Sequence, residues 1–156
     1  METKNRIWND RANSYIEIYV PEGYTFDEAD ISVGAGELNI SAINTKELDI
    51  DVGAGQAVIH DFNVDYLYMK CGAGQITAAG NINKEGDIDG GIGEIDLSLD
   101  GLESDFNYNL NVGVGEVTVG KNNFSGLGSQ KTISNDADKD IDVDCGMGSI
   151  KVEFTK

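Results

Sequence analysis

Apolar residues recur along this chain in short runs of period two, and the runs are punctuated by pairs of glycines. Counting back from the first glycine of each pair, the positions one, three and five residues earlier are Val33, Ile31, Ala29; Val52, Ile50, Leu48; Cys71, Met69, Leu67; Val112, Leu110, Tyr108; and Cys145, Val143, Ile141. A sixth set, Gly90, Ile88 and Gly86, is weaker. Alternation over five or six residues predicts a strand with one buried face. After the glycines the apolar residues fall four and six positions on, as in Leu38 and Ile40, Ile95 and Leu97, or Ile150 and Val152. The parity has switched, and a continuous strand would then turn its apolar face to water. Each G-x-G is therefore expected to be a corner or bulge that needs backbone angles a side chain would forbid. The residue between the glycines (Ala35, Ala54, Ala73, Ile92, Val114, Met147) keeps the first register and is expected to point inward.

The corner glycines are Gly34 and Gly36, Gly53 and Gly55, Gly72 and Gly74, Gly91 and Gly93, Gly113 and Gly115, and Gly146 and Gly148. Successive first glycines are separated by 19, 19, 19, 22 and 33 residues. A spacing held three times in succession marks a stacked repeat. The expected fold is all-β, a single-domain β-solenoid of about six units over residues 14–156. In it, copies one period apart stack as neighbouring strands about 4.8 Å apart. No helix pattern of any length appears. Residues 1–13 read as a polar N-terminal segment that includes Trp8. The alternating stretch SYIEIYV, ended by Pro21-Glu22-Gly23, reads as a strand that caps the first unit. The polar stretch 121–140 reads as an irregular excursion from the stack, with Phe124, Leu127 and Ile133 tucking it back.

Charge narrows the partners. There are 28 acidic against 11 basic residues, a net −17, and such a surface repels nucleic-acid phosphates and anionic lipid headgroups. No apolar run approaches the roughly 20 residues of a membrane span and no signal-peptide pattern opens the chain.

At this point the chain resembles a bacterial adhesin-like family, a domain of unknown function found in envelope proteins. The phrases that carry the resemblance are DVGAGQ, CGAGQ, NYNLNVGVGEVTVG, FSGLGS and CGMGSIKVEF, over roughly residues 15–156. The resemblance implies a β-solenoid outside the cytoplasmic membrane, anchored through a native N-terminal segment absent from this chain. It brings no catalytic residues with it.

Candidate chemistry is sparse. A dinucleotide cradle needs a third glycine opening a helix; here that position is Asn39, Val58, Thr77, Asp96, Thr118 or Lys151, and a strand follows. No Gly-Lys-Ser/Thr is present for a P-loop. The calcium-binding β-roll repeat fails too, because Ile95 stands where its liganding Asp would be. Asp30, Asp49, Asp51, Asp87 and Asp89, on outward columns of adjacent units, are the weak candidates for a divalent cation, with Lys70 set between Asp51 and Asp89. A solvated acidic face is the plainer account of them. Cys71 and Cys145 share an inward column with the Gly91 and Gly113 units between them. That places them about 14 Å apart, too far for a disulfide, and predicts two buried free thiols. His60, the one histidine, sits by Asp61 at a strand end with no nucleophile framed beside it.

The sequence thus points to a non-enzymatic interaction module with no cofactor, its partner a protein or glycan surface. Exposed tyrosines (Tyr15, Tyr19, Tyr66, Tyr68) are the residues to watch. The rival readings are a spacer that self-associates end to end and an envelope-stress sensor domain.

Overall fold

A computed structural model describes residues 2–4 and 15–156. Trp8 and most of the polar N-terminal segment lie outside the described residues. The chain runs β1 (Glu2–Lys4), β2 (Glu17–Tyr19), β3 (Thr25–Val33), β4 (Glu37–Ile40), β5 (Ile43–Val52), β6 (Gln56–Cys71) and β7 (Gln75–Gly90). It continues through β8 (Glu94–Leu99), a 3-10 turn at Glu103–Asp105, β9 (Phe106–Val112) and β10 (Glu116–Val119). The last strands are β11 (Asn122–Ser125), β12 (Ser129–Ile133), β13 (Lys139–Cys145) and β14 (Ser149–Phe154).

The strands stack in parallel, one G-x-G corner above the next, as a β-solenoid. Val33 pairs with Val52, Val52 with Cys71, and Cys71 with Gly90, so equivalent positions form columns. The two apolar columns inferred from the change of parity line one continuous interior. From Leu48 to Val152 their members are buried, and those of the first unit are partly buried. The return from one corner to the next is itself strand. β6 and β7 run 16 residues each and bend at register shifts between Ile59 and Phe62 and between Val64 and Tyr66. Phe62, Val64 and Ile82 make a third buried wall there.

The rungs do not follow the order of the sequence. β13 pairs with β7 on one side and β9 on the other, so the last corner unit, Gly146, lies between those of Gly91 and Gly113. The chain leaves the fourth rung, builds the sixth, reverses over it, and returns to fill the fifth. Rung four explains the need. Its interior positions Gly86 and Gly90 lack side chains; Ile82, with Ile141 of rung five behind it, fills the space at Gly86, and Ile150 of rung five fills that at Gly90. A Cβ on Gly90 would meet Ile150 Cδ1 at 2.9 Å. Cys71 and Cys145 are consequently two steps apart, about 10 Å rather than 14 Å. Both are buried and free, and burial pushes their thiols up.

Two further expectations are corrected. The stretch 121–140 is not an irregular excursion. Antiparallel β12 on β9 and β11 on β10 close the stack as a seventh layer. Phe124 and Ile133 pack on the core as anticipated, but Leu127 is 85% exposed. At the other end, β2 takes β1 as its ladder partner, and among the described residues β3 pairs with β5 alone. The opening strand is not laid on the first rung as a paired lid, and Ile16, Ile18 and Val20 are exposed. The turn that ends it forms as expected, with the Tyr24 N–H donating to the Pro21 carbonyl at 3.1 Å.

The corner glycines have a different cause from the one their spacing suggested. None of the twelve has φ in the left-handed region. What forbids a side chain is the rung below: a Cβ on Gly74 would sit 2.2 Å from the Gly55 carbonyl oxygen, and one on Gly148 2.1 Å from that of Gly93. Gly36, on the first rung, has nothing within 4 Å.

Gly74→Ala is therefore expected to cost about 1–3 kcal/mol or more, the range for overpacking, while Gly36→Ala stays within roughly 0.5 kcal/mol. Urea unfolding of the two variants measures this, and equal losses at both positions would refute the packing account.

Candidate functional site

At each corner the backbone N–H groups turn along the stack. The Gly53 N–H donates to the Val33 carbonyl at 2.8 Å and the Ala54 N–H to that of Gly34 at 2.8 Å. Above them the Gly146 N–H donates to Gly90 and the Met147 N–H to Gly91, at 2.7 and 2.8 Å. From the second rung upward these donors are consumed by the rung below. From that rung upward the glycine-rich corners therefore offer no nest of free N–H groups to an anion.

With glycine carbonyls crowding both flanks, the side chain between the glycines has one way to go. It points out, contrary to the inward direction its register implied. Ile92 is 60% exposed, Met147 67% and Val114 62%. The cap adds a member of its own at Gly126-Leu127-Gly128, where the Gly128 N–H donates to the Gly113 carbonyl at 2.8 Å. The chain runs backwards in this layer, and here both glycines do have positive φ, 140° and 67°. Rung by rung the column reads Ala35, Ala54, Ala73, Ile92, Met147, Val114, Leu127. Its first six members form one side of a shallow groove of about 1230 Å³ that runs along the stack and ends at Ser125 and Gly126 of the cap, beside Leu127.

The groove's other side is polar. Its column runs Glu37, Gln56, Gln75, Glu94, Ser149, Glu116. Gln56 Nε2 donates to Gln75 Oε1 at 3.2 Å and Gln75 Nε2 to Glu94 Oε2 at 3.3 Å, an amide ladder that joins successive rungs. Asn123 Nδ2 donates to Glu116 Oε1 at the capped end.

The cation candidates lie on the face before the corner. Asp30 pairs with Asp49, and Lys70 falls between Asp51 and Asp89, as expected. The rung exchange adds neighbours the sequence did not indicate: Asp142 beside Asp87 and Asp144 beside Asp89. Rung six answers with amides, Asn109 Nδ2 donating to Asp142 Oδ1 at 2.8 Å and Asn111 Nδ2 to Asp144 Oδ1 at 2.6 Å. Partial burial, then Asp142, Asp144 and Asp89, push the Asp87 carboxyl above the usual carboxylate range. No group of three or more Asp, Glu, His or Cys among the described residues is placed to hold a metal ion. His60 is exposed on the surface. Tyr66 and Tyr68 are half-buried ladder members, with Lys84 Nζ 5.1 Å from the centre of the Tyr66 ring. That leaves the corner groove as the candidate site. Sequence reasoning named its glycines and missed its side chains.

Comparison of the chain with protein families gives one result. The family described as Toastrack DUF4097 matches over residues 2–91 and, in an overlapping frame, 25–153. The chain belongs to that family, a domain of unknown function. No curated protein and no solved structure matches it.

Asp87 gives a pH-dependent test. Its folded pKa is raised, so the native chain binds this proton more tightly than the unfolded chain does. The ionised group then lowers stability above both pKa values, and that cost fades as pH falls through the folded one. Asp87→Asn should raise the melting temperature at pH 7 by roughly 1–3 °C, after allowance for solvent screening. The gain should shrink with added salt and with acidification, and thermal melts across pH measure it. A loss of stability at pH 7 would contradict the repulsion.

Proposed function

We propose that this Toastrack DUF4097 chain is a non-enzymatic interaction module, carried outside the cytoplasmic membrane, that engages an extended partner surface along its corner groove. One observation carries the reading. Four large apolar side chains stand in a row on consecutive layers, 60–85% exposed, while the fold places alanine at the same position on three other rungs. Contiguous exposed apolar surface on a soluble domain marks a place where something docks. A solenoid repeats that place along its axis and so suits a partner of some length. The acidic surface argues for a protein or uncharged glycan over a nucleic acid or anionic lipid.

Site-specific photocrosslinking in intact cells tests this. A photoreactive side chain at Met147 should give adducts, and one at Val58, away from the groove, should not. Equal labelling at both positions, or none at either, would remove the reading. Protease access to the domain in intact cells tests the location.

A second reading, self-association, is favoured by the first rung. Its interior residues Ile31, Val33, Leu38 and Ile40 are only partly buried, and among the described residues β3 pairs on one side alone. The far end differs, because Lys131 pairs with Leu110 in the apolar column and puts a charge where another rung would stack. Association would then stop at pairs joined through their first rungs. Light scattering over a concentration series should find monomers and dimers; growing fibres would contradict the closed end.

A further inference from the structure

The row Ile92, Met147, Val114, Leu127 takes its order from the rung exchange, and its spacing and flanks carry chemical information about what fits it. Neighbouring rungs are about 4.8 Å apart, so the four side chains span about 14.4 Å along the stack. An α-helix laid parallel to that axis presents residues i, i+3, i+7 and i+10 as one stripe, and the stripe spans about 15 Å at 1.5 Å per residue. The two rows stay in step over all four contacts. An extended chain presents same-face side chains only every ~6.8 Å and falls out of step after the first.

Charge sets the rest of the partner. On one side of the row stand Glu94 and Glu116, with Ser149 between them. On the other stand Asp89 and Asp144, three residues before Ile92 and Met147. All four carboxylates are exposed; the lysine nearest them on these rungs is Lys151, two residues beyond Ser149 and paired with Glu153 at 2.7 Å. From the row and its flanks we infer that the corner groove binds a basic amphipathic helix, its apolar stripe along Ile92–Met147–Val114–Leu127 and its lysines or arginines reaching the carboxylates on both sides. The inference rests on the groove reading above and names the class of partner.

Three synthetic peptides of about five helical turns (~18 residues) test it against the full chain by calorimetry. The first is of leucine and lysine, with leucines at the helical stripe positions. The second has the same composition in strict alternation, and the third replaces every lysine of the first with glutamate. The first should bind at least about tenfold more tightly than either of the others. Ile92→Ser with Met147→Ser should weaken it by about tenfold or more while the melting temperature holds, since these side chains are outside the core. Glu94→Gln with Glu116→Gln should weaken it at low salt and flatten its salt dependence.

Equal binding of both lysine peptides, indifferent to the serine substitutions, would mean attraction to the net charge alone and would overturn the proposal. Tighter binding of the alternating peptide, or of the glutamate peptide, would overturn it as well. If no peptide binds while crosslinks from position 147 persist, the helix is wrong and the groove reading stands; if both are absent, both fall.

Discussion

One contact recurs at the stacked corners from the second rung to the sixth: a glycine Cα seated over the carbonyl of the glycine one rung below, with no room for a methyl group between them. The closeness lets adjacent N–H groups reach down in bonds of 2.7–3.1 Å, and the corner can bend without leaving polar backbone unpaired. Each such bond is worth about 0.5–1.5 kcal/mol net, but its larger effect is on register. A rung that slipped by one residue would put side chains where only glycine fits. The columns of the core, the acidic columns outside it and the groove beside it inherit their alignment from this contact.

The same contact makes the rung exchange workable. β13 and β14 enter a slot bounded by β7 and β8 on one side and by β9 and β10 on the other, and Gly146 and Gly148 give them the corner that both neighbours require. Ile141 pairs with Gly86 across more than fifty residues of chain. Contacts so distant in sequence are slow to form because the loop between them must be ordered first. Until the last strands arrive, rung four faces rung five's space with glycines at 86 and 90. The final segment therefore completes the core and joins the capped end to the rest of the stack.

How far the sequence could be read follows from what periodicity encodes. Alternation says which residues share a face, and the core columns were legible from it, Val33 and Val52 and Cys71 among them. The repeat interval gave the stacking of the first four rungs. Periodicity does not say which rung lies next to which, so the position of Cys145 and the pairing of Asp87 with Asp142 stayed hidden. The 33-residue interval before Gly146 held the clue, since Gly126-Leu127-Gly128 inside it is another corner, traversed in reverse. Continuing the strand's register through the corner sent Ile92, Val114 and Met147 to the wrong side. Carbonyls packed on both sides of that residue leave it only solvent, and no hydropathy pattern reports a carbonyl.

What the fold needs at the corner differs from what it carries there. The middle corner position touches nothing in the interior, and Ala35, Ala54 and Ala73 occupy it on rungs whose cores are continuous with the others. Stacking would be served equally by alanine at all seven layers. Ile92, Met147, Val114 and Leu127 instead hold apolar surface in water on adjacent layers, where burial would be worth roughly 1.5–3 kcal/mol per side chain. Nothing in the corner's geometry requires them, and nothing among the described residues covers them. Stacking permits these side chains without requiring them; the docking proposed above would remove them from water, and the carboxylates on both flanks would favour a partner that brings positive charge.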